Sequence, residues 1–407
     1  RPQAVTDILN DILLYSNHYR TALLLCLEGI EAAAEEFFTA LTAAVIPHPE
    51  TSKWTVAASG DLLDRARVLG DWIAKTNDNL AIETQLHRGT DLEYDLNAYI
   101  KRLDTLLAGL QLLGAGTQQP VIWWEAADEV LWILPQQFSA LLGQELTSKR
   151  LPVIFTSATL QANGSFAGLK HLLGLPEAQH AQVGTSFDLV SQVRAYLPAL
   201  ELVEQTGDDN TDTTVGISHR IEHCLSIIEA NGGSALVLLR SPGELQQWQA
   251  YIKQRPAPFP YRILWEGSQE RSWLLEQFRQ DVPSVLVGTD FWEGADVPGA
   301  ALSLVVVFSL PYPWDDPLLQ AKQLAAEQAG LDPVATVDIP AMLLKLRQGF
   351  GRLIRLASDR GILAVLDLGP GGCDKQLVLE ALPPGVKVYT DFSQALAQIP
   401  PGVTRDC

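Results

Sequence analysis

The order of short apolar runs after residue 231 constrains the fold more than any other feature of this chain. Runs stand at 235–239, 262–265, 284–287, 304–308 and 362–366, and stretches of helical periodicity separate them. The first such stretch opens on Ser241, Pro242, Gly243 and Glu244: a capping serine, proline in the first turn, and glutamate three positions on from the cap. Strands that alternate with helices form a parallel sheet covered on both faces. The expectation is an α/β domain over this part of the chain.

Upstream the pattern changes. Residues 1–118 read as helical: 22–45 is nearly free of breakers, with Leu23, Leu24, Leu27, Ile30 and Phe37 at helical spacing. Segments 62–74 and 92–113 repeat the pattern, and Pro47 and Pro49 separate the first helix from the second. Runs at 120–124 and 153–156 read as buried strands, with a helix over 135–146 between them. The acidic stretch GDDNTDTT at 207–214 reads as a solvated loop. At 407 residues the chain is long enough for two or three domains.

Composition narrows the classes. The 407 residues are 47% hydrophobic, yet no apolar run reaches the length of a spanning helix. No signal peptide opens the chain, so a cytoplasmic protein without a membrane partner is expected. The chain begins at Arg1 and its only methionine is Met342, from which a longer parent protein is expected. Cys26, Cys224, Cys373 and Cys407 are scattered without a C-x-x-C, which offers no zinc or iron–sulfur signature. His219 and His223 stand four apart beside Glu222, but no third ligand is evident, so no metal site is expected. A formal charge of −19 speaks against broad polyanion binding, though a narrow basic groove is compatible with it.

Two motifs carry chemistry. GTDFWEGADVPG at 288–299 follows the apolar run at 284–287, and a glycine-rich, acid-bearing loop there suits close approach of backbone to a ligand. QGFGRLIR at 348–355 sets Arg352 and Arg355 one helical turn apart, a fork for phosphate. No G-x-x-x-x-G-K-[ST] occurs anywhere. No apolar strand ends in the Asp-Glu pair that would hold magnesium; Glu125, Asp128 and Glu129 only approach that pattern.

At these residues the chain resembles the C-terminal part of a DinG-like helicase, in the XPD-related branch of superfamily 2. F-W-E-G-x-D-x-P-G is that family's motif V and Q-G-x-G-R-x-I-R its motif VI; TSATL at 156–160 matches motif III. The likeness continues through Ser165 and Phe166, through LLGL at 172–175, and through Ser186, Phe187, Asp188 and Gln192. It spans roughly 120–370. The chain departs from the family at Leu239-Arg240-Ser241-Pro242, where a Phe-Thr-Ser type run is usual, and at Ser309, where a basic residue is usual.

The resemblance implies a helical Arch-like insert over 1–118. It implies a remnant of the first RecA-like motor domain, with motif III, over 119–180, and the whole second RecA-like motor domain over 181–407. It implies an ATP-dependent DNA helicase whose ATP and Mg2+ are bound mainly by the missing N-terminal motor half. Single-stranded DNA is the implied partner, and the cysteines of an iron–sulfur cluster would lie upstream. Arg352 and Arg355 would reach the γ-phosphate, and Gln348 the nucleotide or the attacking water. Gly288, Glu293, Gly294, Asp296 and Gly351 would shape the nucleotide side of the site. Glu293 and Asp296 hold the arginines or link the ATP site to the strand, unless Asp296 caps the helix that follows. Ser157 and Thr159 couple nucleotide state to domain movement, or form a plain turn. Thr289 would donate to a backbone phosphate. Trp292 would stack on an unpaired base, and Phe291 would stack or pack in the core. The rival reading is a degenerate, non-hydrolysing module that binds DNA or a protein.

Overall fold

The computed structural model describes residues 20–48, 51–114, 120–157, 165–199, 214–369 and 372–399. They divide into two compact units, 1–149 with 314–325, and 150–313 with 326–407.

The first unit is built on three long helices, α1 (Arg20–Ala44), α2 (Gly60–Leu86) and α3 (Asp91–Leu113). Their apolar stripes bury Leu23, Ile30 and Leu41 of α1, Leu62, Ile73 and Leu80 of α2, and Leu103 of α3 in one core. Ser59 caps α2 by accepting the Leu62 amide at 3.2 Å. Four strands, β1 (Val45–Ile46), β2 (Lys53–Val56), β3 (Val121–Glu125) and β4 (Val130–Leu134), form an antiparallel sheet in that order. Alternate residues Ile122, Trp124, Leu131 and Ile133 face the helical core. The strand expected at 120–124 therefore forms, but as a partner of β2, where Trp54 lies opposite Trp124. Cross-strand pairing draws this segment into the helical unit, and the compact units divide after Lys149.

The second unit is an α/β domain whose seven strands are all parallel, in the order β11-β5-β10-β9-β6-β8-β7. They are β5 (Val193–Tyr196), β6 (Ala235–Leu238), β7 (Arg262–Trp265), β8 (Ser284–Gly288), β9 (Leu304–Val307), β10 (Gly361–Val365) and β11 (Lys387–Tyr389). One face buries Leu236, Leu286, Val305 and Leu363, and the other buries Val237, Val285, Val306 and Ala364. Burial on both faces explains why these strands read as continuous apolar runs. Chain order reverses between β6 and β9, so loops at their carboxyl ends diverge, the usual place for a ligand crevice.

The apolar run at 153–156 is not a strand. No described strand pairs with it, and Ile154 is 84% exposed. Ser157 lies at its exposed end, while Thr159 and the acidic stretch 207–213 fall outside the described residues. Among the described residues no helix is long and apolar enough to cross a membrane.

Candidate functional site

The site is assembled where β8 ends and where the helix Ile339–Phe350 ends. That helix stops because Gly351 caps it, its amide bonded to the Arg347 carbonyl at 3.0 Å. The two arginines therefore lie in the turn beyond the helix, not on one of its faces. They converge all the same. Arg352 donates from Nε to the Trp292 carbonyl (3.0 Å) and from Nη1 to that of Ala295 (3.1 Å). Arg355 donates from Nη2 to the same Ala295 carbonyl (3.3 Å), and its Nε lies 3.0 Å from Asp296 Oδ1. Motif VI thus grips the motif V loop by its backbone. Burial, and then the neighbouring Arg355 charge, hold Arg352 below the usual arginine value.

Asp359 makes this turn possible, and nothing in the sequence pattern marks it. Its carboxylate is buried; Oδ2 accepts the amides of Arg355 and Leu356, both at 2.8 Å. Oδ1 accepts the Gly299 amide at 3.2 Å, so one side chain ties motif VI to the end of motif V. Gln192 completes the clasp, its amide reaching the Asp359 carbonyl at 3.0 Å. Asp359→Ala strips three backbone donors of a charged acceptor and is expected to cost about 3 kcal/mol. Urea denaturation followed by circular dichroism checks this, with a loss under about 0.5 kcal/mol counting against the clasp.

Asp296 pairs with Arg355 and does not cap the short 3-10 turn Gly299–Ala301 that follows. Its backbone carbonyl accepts Arg279 Nη2 at 2.6 Å. Glu293 is exposed, close enough to Arg352 and Lys345 to favour their charged forms. Arg271, a further residue the sequence reading missed, donates to the carbonyls of Glu293 and Asp290. Gly294 has φ +66°, a conformation that favours glycine, and a Cβ there, 2.9 Å from Arg271 Nη2, would also displace the tip of that side chain. Gly351 has no such need: a Cβ would meet only ordinary contacts. Gln348 is half-buried, and no described residue bonds its side chain.

Two expectations for the loop, those for Trp292 and Thr289, need correction, and Phe291 takes the packing alternative. Trp292 is 2% exposed and donates from Nε1 to the Leu239 carbonyl at 2.8 Å, so it is a packing residue and presents no face to a base. Phe291 is fully buried in the same core. Gly349 supplies the reason: a Cβ on it would lie 2.9 Å from the Trp292 ring and from Leu238 Cδ1, so the helix beds directly on the tryptophan. Thr289, expected to donate to a phosphate, is turned onto Glu266. Its amide donates to Glu266 Oε2, and its hydroxyl lies 3.0 Å from both carboxylate oxygens. Burial, and less strongly the Asp290 charge, push Glu266 up, against the bonds from Thr289. Gly288 is indeed a point of close approach, but what approaches is the Glu266 carboxylate, which a Cβ on Gly288 would overlap.

No group of three or more His, Cys, Asp or Glu among the described residues is arranged to hold a metal. His223 instead has Nε2 2.9 Å from the Tyr196 hydroxyl, and burial lowers its pKa.

The second unit sets two arginines beyond a helix against the loop after β8 of a seven-stranded parallel sheet, and residues 224–368 match the helicase C-terminal domain family. The comparison narrows further. The chain is 31% identical over 309 residues to the "Probable ATP-dependent helicase YpvA" of Bacillus subtilis, covering 75% of this chain and 44% of that protein. It is 36% identical to the ATP-dependent DNA helicase YoaA of Haemophilus influenzae, over 61% of this chain and 37% of that one. It is 33% identical to the ATP-dependent helicase DinG of Mycobacterium tuberculosis, over 61% and 37%. The chain therefore spans less than half the length of these curated relatives. A solved structure titled XPD helicase shares the fold with a TM-score of 0.53 at 16% identity, over 94% of this chain and 64% of that one. Residues 224–368 thus form a helicase C-terminal domain, and the chain is similar to DinG-like helicases.

Proposed function

We propose that this chain supplies the second motor domain of an ATP-dependent DNA helicase that moves along single-stranded DNA. In this reading ATP and Mg2+ are held mainly by an N-terminal motor half, and the chain contributes the cations that meet the γ-phosphate. The convergence of Arg352 and Arg355 on the Ala295 carbonyl carries the reading. It brings two guanidiniums to one carbonyl, and planar guanidiniums of this kind match phosphate oxygens. Gln348, on the last turn of the helix beside them, contacts the nucleotide or the attacking water. Glu293, Gly294 and Asp296 set the loop that the arginines read. Ser157 and Thr159 act as the coupling pair. The first unit serves as the Arch-like insert, enlarged by β3 and β4.

The 407-residue chain lacks a phosphate cradle motif, and catalysis of phosphoryl transfer rests on positioning and charge from both sides. Alone it is expected to release no phosphate from ATP and to carry no stoichiometric iron, since Cys26 and Cys224 are buried in different units. Joined to the upstream half of its parent, it is expected to hydrolyse ATP with stimulation by single-stranded DNA. Steady-state phosphate release with and without oligothymidylate, with iron measured on the same sample, is the test. A joined protein that stays folded and shows no DNA-stimulated turnover would instead favour a non-hydrolysing binding module.

A further inference from the structure

Three donors at the carboxyl end of β8 converge on one carboxylate. The Thr289 amide and hydroxyl and the Asp290 amide, the last at 3.3 Å, all meet Glu266. Successive backbone amides with an adjacent hydroxyl make a concavity for an anion. Here the chain fills that concavity itself, from the turn after the edge strand β7. The Glu266 backbone is pinned, its amide on the Val287 carbonyl at 3.0 Å, so only the side chain is free to leave. Gly288 keeps the approach open, because any larger residue would overlap both Glu266 and Phe291.

The placement is not what fold stability alone would select. Burial disfavours a charged Glu266, and the neighbouring Asp290 carboxylate adds to this. An amide side chain at 266 would keep one acceptor without the charge. The charge does have one consequence: it excludes other anions from the donors it occupies.

We propose that Glu266 is a built-in competitor for a phosphate oxygen, occupying the Thr289–Asp290 donors until a phosphate displaces it. The ligand class rests on the helicase reading above, whereas the occupancy by Glu266 does not. A phosphate oxygen reaches this concavity from a DNA backbone or from a nucleotide, and the two are separable by probe.

The test uses the whole chain with Glu266→Gln, Glu266→Ala, Glu276→Gln and Glu266→Ala combined with Thr289→Val. Glu276 lies on the helix Arg271–Gln280 near the loop, so its variant removes the same charge without opening the donors. Fluorescence anisotropy of labelled oligothymidylate at fixed salt and equilibrium dialysis of ATP are the two readouts. Opening the donors is expected to tighten one of them about tenfold, the scale of one charge-assisted hydrogen bond. Glu276→Gln should change it less than about twofold, in keeping with screened surface charge, and Thr289→Val should cut the gain. A gain with oligothymidylate alone assigns the site to strand phosphate; a gain with ATP alone assigns it to nucleotide phosphate. The proposal is overturned if the Glu266 variants bind neither probe more tightly than Glu276→Gln, or if Thr289→Val leaves the gain intact. Loss of this effect in a chain that still binds oligothymidylate would leave the helicase reading standing. Glu266→Gln is nearly isosteric, so it reports even if Glu266→Ala fails to fold.

Discussion

Arg355→Ala, made in a protein that carries the upstream motor half, is expected to lower ATP turnover by about 10³-fold or more, the scale of an arginine finger. Its effect on nucleotide affinity should be far smaller. A cation that meets the γ-phosphate as charge builds acts on the transition state, and the other motor half holds most of the bound nucleotide. The geometry argues for Arg355 over Arg352. Arg352 spends Nε and Nη1 on the Trp292 and Ala295 carbonyls, whereas Arg355 is held by one carbonyl and an exposed carboxylate. An exposed ion pair of this kind contributes little to stability, so Arg355 is available for rearrangement. Arg352→Ala should therefore lower turnover partly through loss of loop order, visible as a lower melting temperature. Arg355→Lys should rescue poorly, because a point charge does not reproduce the planar fork. Steady-state ATPase at saturating single-stranded DNA, beside equilibrium nucleotide binding, separates these outcomes. Near-normal turnover from a folded Arg355→Ala protein would make motif VI structural.

What could be read from the sequence followed from the physics of each element. Strands β6, β8, β9 and β10 were legible because a strand buried on both faces is written as an uninterrupted apolar run. The strand β5 was not, since VRAY carries a cation. Arg194 is buried there only because it donates to the carbonyls of Gln398 at 3.1 Å, Val190 and Val193, an arrangement with no local signature. The antiparallel pairing of β3 with β2 joins segments about seventy residues apart, and short apolar runs do not name their partners. Motif V suggested close approach of backbone to a ligand, but a glycine does not say whether a ligand or a side chain fills the space, and at Gly288 it is the Glu266 side chain. The arginine pair was found by residue type while its geometry was misread, because Gly351 ends the helix and Asp359, a residue outside either motif, rebuilds the turn.

Trp292 carries the second large expected effect, and of the opposite kind to the one its loop position implies. Trp292→Ala removes a buried indole that packs, beside Leu238, against the helix that carries Gly349. A cavity of that origin costs about 3–5 kcal/mol. The Leu239 carbonyl also loses its donor at 2.8 Å, which adds to the cost if water does not enter. Against a typical domain stability of about 5–15 kcal/mol, this leaves the second unit close to its folding threshold. Trp292→Phe should retain most of the packing and lose mainly the hydrogen bond, at about 1–2 kcal/mol. The chain has two compact units, so a single two-state curve is not assumed. Amide exchange at Val287 and Val307, in strands that flank β6, isolates the second unit. The folded fraction of Trp292→Phe should bind oligothymidylate like the wild type, since the ring is buried in the core. A stability unchanged by Trp292→Ala, with binding weakened several-fold, would return the ring to the role of a stacking platform and would require the loop to open when DNA binds.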